Sequence, residues 1–369
     1  MASLLVTGGA GFIGSNFVRH KRSQGSADEI VVLDSLTYAG NRSSLEGVDG
    51  VVFVHGDIRD TALVKTLLQD HAVDTLVHFA AESHVDRSID GPDAFIDTNV
   101  NGTHSLLKAA KTIWLDGGSG RPHRFHHIST DEVYGSLGPT DPAFTELTPY
   151  TPNSPYSASK AASDHLVRAY HHTYGLETTT TNCSNNYGPY QFPEKLVPLF
   201  LLNCLTGKPL PIYGDGMNVR DWLHVSDHCH GIDLVLGGGR IGETYNIGGG
   251  EELPNMAVID AICAAVDDAF ATDNGLARRF PSAPAANGKP SASLKTFVRD
   301  RPGHDRRYAI DEHKIRDELG YVPAKDFASG FSETLAWFLD NEAWWRGILD
   351  GSYRAWIERQ YGSGDTVIR

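Results

Sequence analysis

The sequence predicts an α/β fold: a doubly wound parallel sheet joined to a smaller mixed α/β C-terminal unit. Three observations carry this. From residue 3 to residue 182, short and continuously apolar runs alternate with segments of helical spacing. Strands apolar on both faces belong in a parallel sheet covered by helices on both sides. A glycine-rich turn follows the first run directly. The chain has 369 residues, 40% hydrophobic and 21% charged, an ordinary globular balance for one large domain or two that share a core.

In order, Ser3–Thr7 is an apolar run stopped by glycines, and Phe12–Arg22 has helical spacing. Ile30–Leu33 is a second buried strand ending at Asp34, and Val51–His55 is a third. A helix near Thr61–His71 leads to a fourth strand, Thr75–Phe79. A long helix near Ala94–Trp114 precedes a fifth strand, Phe125–Ser129, and then a loop rich in Pro and Thr reaches Pro155. Ser157–Tyr174 is a helix and Glu177–Asn182 a sixth strand. Beyond it Pro193–Thr206 and Met256–Ala271 read as helices, with turn signals at 214–216 and 248–250. Pro281–Ser293 reads as a surface loop without a role. Trp337, Trp344, Trp345 and Trp356 fit a helix that buries its aromatic face. The expected division is 1–182 for the sheet unit, with further elements from 220–250, then 183–362 for the second unit and 363–369 as a tail.

Several function classes fall away. A net charge of −14 repels phosphate backbones, which argues against nucleic acid as a partner. No apolar run reaches the ~18–20 residues of a membrane helix. The first residues carry no basic, cleavable leader. Cys183, Cys204, Cys229 and Cys263 are scattered, which fits reduced thiols in a cytoplasmic protein.

The turn Gly8-Gly9-Ala10-Gly11-Phe12-Ile13-Gly14 joins a strand to a helix. Its glycines let backbone approach a pyrophosphate, and the helix N-terminus supplies amide donors, as in a Rossmann-type dinucleotide site. Asp34 ends the next strand, where its carboxylate accepts from ribose hydroxyls and repels a 2′-phosphate, favouring NAD as cofactor. Asp57-Ile58, after the third strand, would flank the adenine.

Tyr156 and Lys160 lie four apart and share a helix face, where an ammonium is expected to lower the phenol's pKa. Thr130 follows the fifth strand at the carboxyl edge of the sheet, placed to hydrogen-bond a substrate hydroxyl. The adjacent Asp131 and Glu132 offer an acid and a base, because like charges held close do not both ionise easily. A helix N-terminus that prefers acids explains the pair equally well. His224, His228 and His230 have ligand-like spacing but no accompanying Cys or acid cluster, so no metal is expected.

These segments resemble the extended short-chain dehydrogenase/reductase superfamily and, within it, the nucleotide-sugar dehydratase family that acts on dTDP-glucose. The matches include Leu33–Asn41, Phe79–Ile89, Thr98–Thr103, Phe125–Gly135, Pro155–Tyr170, Thr181–Pro198, Pro211–His228, Tyr245–Gly249 and Asp300–Asp311, and extend to about Tyr361. The resemblance implies conversion of dTDP-glucose to its 4-keto-6-deoxy sugar by C4 oxidation with NAD, elimination of water across C5 and C6, and hydride return to C6. It makes Tyr156 the base at the 4-hydroxyl, Glu132 the base at C5 and Asp131 the acid at the 6-hydroxyl. Ser35, Leu36, Thr37, Phe79, Ala80, Ala81, Ser83, Thr98 and Asn186 fall on the cofactor side. Ser83, His84, Asn185, Glu194, Lys195, Leu196, Pro211, Ile212, Tyr213, Arg220, Asn255, Asp300, Arg301 and His304 fall on the nucleotide-sugar side. Arg220 and Arg301 suit a diphosphate through forked, charge-assisted bonds. A homodimer through the Ala94–Trp114 and Ser157–Tyr174 helices is also implied. The stretch between Gly135 and Pro155 is shorter than usual, and Asp273–Ser293 departs from the family pattern. Rival readings are a dehydratase for another nucleotide, a UDP-hexose 4-epimerase, and an NAD-binding protein without catalysis.

Overall fold

The computed structural model describes residues 3–349 except Ala27, Ser119 and Arg121. Trp356 and the expected tail 363–369 lie outside the described residues. Strands β1 (Ser3–Thr7), β2 (Glu29–Asp34), β3 (Val51–His55), β4 (Thr75–His78), β5 (Arg124–Thr130) and β6 (Thr178–Cys183) form one parallel sheet. Its order is β3-β2-β1-β4-β5-β6, extended by a seventh parallel strand, Thr244–Ile247, beside β6. The chain leaves β1 toward one edge and returns through β4 to build the other. The crevice at that switch point lies beyond Thr7 and His78, which are paired in register.

The apolar runs become strands because each supplies both faces. Leu4, Val6, Ile30 and Val32 point to one side and Leu5, Val31, Leu33 and Leu76 to the other, as successive strand residues must. The first set packs beneath helix α1 (Phe12–Ser23) and the Val225–Gly238 helix. The second packs beneath helix α2 (Thr61–Asp70) and the Thr103–Ala110 helix. The long helix expected near Ala94–Trp114 runs over 93–116 and contains two π-helical turns, Ile96–Gly102 and Lys111–Asp116. Such turns are often found at functional sites, and the first one carries Thr98 and Asn99.

The second unit has its own apolar core. The Leu196–Thr206, Asn255–Thr272 and Phe327–Asp340 helices meet there, with Trp345 fully buried against them. The first of these helices begins three residues later than expected, because Lys195 is extended. The Pro281–Ser293 stretch is not an idle surface loop. Ala283 is buried, and the Ser291 hydroxyl donates to Asp267 Oδ1 at 2.6 Å, tying the segment to the Asn255–Thr272 helix. His224 and His228 have structural partners: His224 caps its helix by accepting from the Ser226 N–H, and His228 Nδ1 lies 2.9 Å from Asn186 Oδ1. The four cysteines are free and buried, and no described helix is long and apolar enough to cross a membrane.

Candidate active site

The glycine turn is packed to the limit. A Cβ on Gly8, which has φ +69°, would stand 2.6 Å from the Ala80 nitrogen, and one on Gly14 would stand 2.3 Å from the Gly8 carbonyl oxygen. The backbone is therefore bare along the turn, as close approach by a pyrophosphate requires. Asp34 is buried at the end of β2 and holds this turn to the next loop. Its Oδ2 accepts from the Ala10 N–H at 2.9 Å and its Oδ1 from the Leu36 N–H at 2.8 Å. Burial pushes its carboxyl up from the ordinary range. Each oxygen keeps a second lone pair for a ribose hydroxyl.

A cavity of about 520 Å³ opens from this turn along the carboxyl ends of the strands. At one end it is lined by Gly8, Gly11, Phe12, Ile13, Gly14, Asp34, Ser35, Thr37, Asp57 and Ile58, and midway by Phe79, Ala80, Ala81, Ser83, Thr98 and Asn186. At the other end stand Thr130, Asp131, Glu132, Tyr156, Lys160, Asn185, Glu194 and Lys195. Residues up to 187 positions apart in sequence, Gly8 and Lys195, thus share one continuous wall. Leu36 is not on it; its backbone N–H serves Asp34 instead.

Asp131 and Glu132 begin a single 3-10 turn after β5, with Thr130 as its cap. The Thr130 hydroxyl donates to Asp131 Oδ1 at 3.3 Å and accepts from the Glu132 N–H at 3.3 Å. Burial raises the Asp131 carboxyl well above the usual range, with the neighbouring Glu132 as the second cause. Burial also raises Glu132, but the charges of Arg301, Lys195 and Arg220 oppose it. Both carboxyls are raised, but Asp131 more strongly, so of the adjacent pair Asp131 is the one that keeps its proton and Glu132 the one that ionises first.

The Tyr156–Lys160 pair differs from expectation. Burial and the Glu132 charge hold the Tyr156 phenol well above its ordinary pKa, while a hydrogen bond from Thr130 works the other way. Lys160 does not reach the phenol: its ammonium donates to the Ile128 carbonyl at 2.7 Å and lies 3.4 Å from His127 Nε2. Dehydration of a buried phenolate outweighs an ammonium committed elsewhere. Behind Lys160, Asp164 sits 3.0 Å from His127 Nε2 and accepts from the Ser129 hydroxyl at 2.8 Å.

Of the predicted nucleotide-sugar residues, Arg220 and Arg301 bring their charges to bear on Glu132, and Tyr213 and His304 neighbour Arg301. Arg301 Nη1 meets Asp86 at 3.3 Å, and the Tyr213 hydroxyl donates to the same carboxylate at 3.2 Å. Arg220 lies 4.2 Å over the Tyr308 ring and donates to the Asp305 carbonyl at 2.9 Å. Other predicted residues stand apart. His84 is buried and caps helix α3 (Val85–Asp90). Ile212 belongs to the apolar core of the second unit, and Leu196 packs against that core. Asp300 is exposed and hydrogen-bonds His304 at 2.5 Å. Pro211 pairs with Thr296 in a two-stranded sheet. Among the described residues, Asp131 Oδ2, Asn185 Oδ1, Asn255 Oδ1 and Arg301 Nε are buried polar atoms without a partner. A buried orphan costs about 1–3 kcal/mol, a cost that a polar ligand removes.

Residues 5–334 match the family model described as GDP-mannose 4,6 dehydratase. A dTDP-glucose 4,6-dehydratase of Xanthomonas campestris is 58% identical over 96% of this chain and 98% of its own length. One from Escherichia coli K12 is 50% identical over 97% of this chain and 98% of its own. This chain belongs to the dTDP-glucose 4,6-dehydratase family. The Streptomyces venezuelae dehydratase, crystallised with NAD and dTDP bound, superimposes with a TM-score of 0.83 at 50% identity, covering 94% of this chain and 99% of that one. A Thermus thermophilus UDP-glucose 4-epimerase reaches 0.78 at 29% identity, covering 92% and 99%. The dehydratase family thus shares its fold with epimerases, and the identity separates them.

Three dehydratase-site neighbours escaped the sequence reading. The Arg87 guanidinium lies 3.6 Å over the Tyr38 ring and its Nε donates to Glu194 Oε2 at 3.1 Å, while Tyr38 meets Phe192 edge-on at 5.6 Å. This clasp joins the loop after Asp34 to the loop carrying Glu194 and Lys195. Arg87 follows His84 by one helical turn, a usable signal; no local pattern marks Tyr38 or Phe192. Burial pushes the Glu194 carboxyl up from 4.5 to about 7, outweighing Lys195 and Arg87. The native chain thus holds a proton that the unfolded chain has lost, so this group's contribution to stability falls as pH rises from about 4.5 to about 7. Glu194→Gln, neutral throughout, should flatten that slope. Melting temperatures of both proteins across this window check it, and parallel slopes would show that Glu194 is ionised in the native state.

Proposed function

We propose that this enzyme is an NAD-dependent hydro-lyase that converts dTDP-glucose to dTDP-4-keto-6-deoxyglucose and water. The observation that carries the reading is the buried carboxyl pair at one end of the cavity, with Asp131 Oδ2 unpartnered and Glu132 facing three cations. The bare glycine turn and Asp34 fit NAD, which would be held by Gly8, Gly11, Gly14, Asp34, Ser35, Thr37 and the walls at Phe79–Ala81 and Thr98. Bound NAD supplies the reversible oxidation at C4, and its positive charge favours the Tyr156 phenolate.

The chain's own groups do the rest. Tyr156, on the cavity wall with Thr130, takes the 4-hydroxyl proton. Oxidation at C4 places a carbonyl beside C5, and only then is the C5 proton acidic enough for Glu132. Asp131, kept protonated by burial, gives its proton to the departing 6-hydroxyl. Each such proton transfer contributes about 10²–10⁴-fold. Lys160 is fixed by the Ile128 carbonyl at the cofactor end of the pair. Arg220, Arg301 and Lys195 offer cations for the diphosphate beside the sugar. The sheet unit, 1–182 with elements from 220–250, is assigned to the dinucleotide, and the remainder mainly to the nucleotide-sugar. A cytoplasmic homodimer completes the reading, supported by exposed Ile96 and Tyr174 on the two helices expected to pair.

The test offers purified enzyme dTDP-glucose and the UDP- and GDP-sugars in ordinary and deuterated water, with products read by mass. Loss of one water from dTDP-glucose, with deuterium entering at C5, is expected. Water loss from another nucleotide alone would move the substrate and keep the chemistry. Unchanged mass with inverted sugar configuration would favour an epimerase.

A further inference from the structure

Lys160 stands on the cavity wall but is only 4% exposed, and burial works against its charge. One of its three donors goes to the Ile128 carbonyl at 2.7 Å. A carbonyl is neutral and supplies no counter-charge. A buried ammonium without one gives up its proton rather than stay charged.

The counter-charge lies one helical turn further on. Asp164 Oδ1 is 3.0 Å from His127 Nε2, and Lys160 Nζ is 3.4 Å from the same nitrogen. Burial holds the His127 imidazole far below its ordinary pKa, and the Lys160 charge adds to this, so the ring is neutral. A neutral imidazole carries one proton, and His127 Nδ1 is buried without a partner among the described residues. The proton therefore sits on Nε2 and is donated to Asp164 Oδ1. The Ser129 hydroxyl donates to Asp164 Oδ2 at 2.8 Å, so both carboxylate oxygens are held. Burial raises the Asp164 carboxyl to about 6, with Lys160 as the largest opposing cause, and it is ionised at neutral pH.

The other groups around the pair bring no negative charge. Burial pushes up the Cys183 thiol on β6 and keeps it protonated. His78 on β4, its ring centre 5.3 Å from that of His127, is kept neutral by burial. On the far side of Asp164 stand the Tyr150 phenol, which burial keeps protonated, and His165 on the exposed face of the Pro155–Tyr174 helix.

We infer that Asp164, acting across the His127 ring, is the positioning residue that keeps Lys160 charged at the cofactor end of the cavity, a role that rests on the dehydratase reading. Asp164 touches neither cavity nor reacting atoms; it acts through the lysine alone.

The test is Asp164→Asn. The amide keeps the size of the carboxyl and both hydrogen bonds. Its oxygen accepts from His127, and its NH₂ donates to Ser129, whose hydroxyl can accept as well as donate. The charge is what is lost. NAD reduction on mixing with dTDP-glucose is followed across pH by rapid-mixing absorbance in both proteins. In the wild type the rate should fall on the alkaline side as Lys160 loses its proton. In the variant that alkaline limb should move toward acid by about one pH unit or more, the scale on which a nearby opposite charge acts. A merely structural role would lower the rate or the melting temperature and leave the limb in place, and an unmoved limb overturns the inference.

The second measurement repeats Asp164→Asn in a Lys160→Met background. There the carboxylate has no cation to serve. Asp164→Asn should lower the melting temperature of the wild type but not of Lys160→Met, whereas independent residues would add their losses. Equal losses in the two backgrounds overturn the pairing. If Asp164→Asn alone does not fold, the double variant should fold, and its failure to do so overturns the pairing too. A wild type that does not reduce NAD with dTDP-glucose would overturn the dehydratase reading instead. The melting comparison needs no substrate, so the two failures are distinguishable.

Discussion

Glu132→Gln should stop water release while C4 oxidation continues. Gln keeps the size and position of the side chain in its buried site but has no basic oxygen for the C5 proton. Loss of one general base costs about 10²–10⁴-fold in the step it serves. Substrate would then be oxidised at C4 and held there. The dinucleotide should accumulate in its reduced form, visible by near-ultraviolet absorbance at up to one equivalent per site. A second effect follows from electrostatics. The Glu132 charge is the second-largest cause raising both the Asp131 and the Tyr156 pKa, after burial. Removing it lowers both, so the pH profile of the oxidation step should move toward acid. Rapid-mixing absorbance with product mass checks both effects. Normal water loss by this variant would sink the assignment of Glu132 as the base.

Gly14→Ala should leave the protein largely without dinucleotide. The added methyl would stand 2.3 Å from the Gly8 oxygen, 2.9 Å from the Gly9 Cα and 3.0 Å from the Gly8 carbonyl carbon. All three are backbone atoms, so no side chain can rotate away. Helix α1 must move off the glycine turn or the turn must open, and overpacking of this kind costs about 1–3 kcal/mol. Carried into binding, that is roughly a 5–150-fold weaker hold on NAD, since 1.4 kcal/mol is about tenfold. Gly237→Ala is the control. It lies in the Val225–Gly238 helix, and nothing stands within 4 Å of its added methyl. There the substitution should be neutral, or stabilising by a few tenths of a kcal/mol. Cofactor content on denaturation, with the melting temperature, separates the two. Equal NAD in both variants would show that the turn tolerates a side chain.

The parts of the molecule written in local chemistry were legible in advance. Strands β1 to β6 each lie within two residues of their expected ends, because a strand buried on both faces must be an uninterrupted apolar run. The Pro155–Tyr174 helix was visible too, although its start falls two residues earlier than expected. Ser154 and Ser157 form a capping box there, and Pro155 takes the first turn. The glycine turn, Asp34, Thr130, Asp131, Glu132, Tyr156 and Lys160 stood out because their spacing along the chain is itself the signal.

Tertiary structure alone decided the rest. Thr244–Ile247 becomes the seventh strand only because β6 offers it an edge; four residues beside glycines carry no strand signal of their own. The charges of Arg220 and Arg301 come to act on Glu132 across a gap of more than eighty residues, and charges brought together over that separation leave no periodic trace. The protonation states were least accessible to the sequence. Lys160 was expected to ionise Tyr156, yet it donates to Ile128, and burial dominates the phenol. Burial is a property of the whole packed chain rather than of neighbours in sequence. The sequence by itself therefore determined which groups are present at the sheet's carboxyl edge. Packing, by removing water unequally from them, decided which holds a proton and which gives one up.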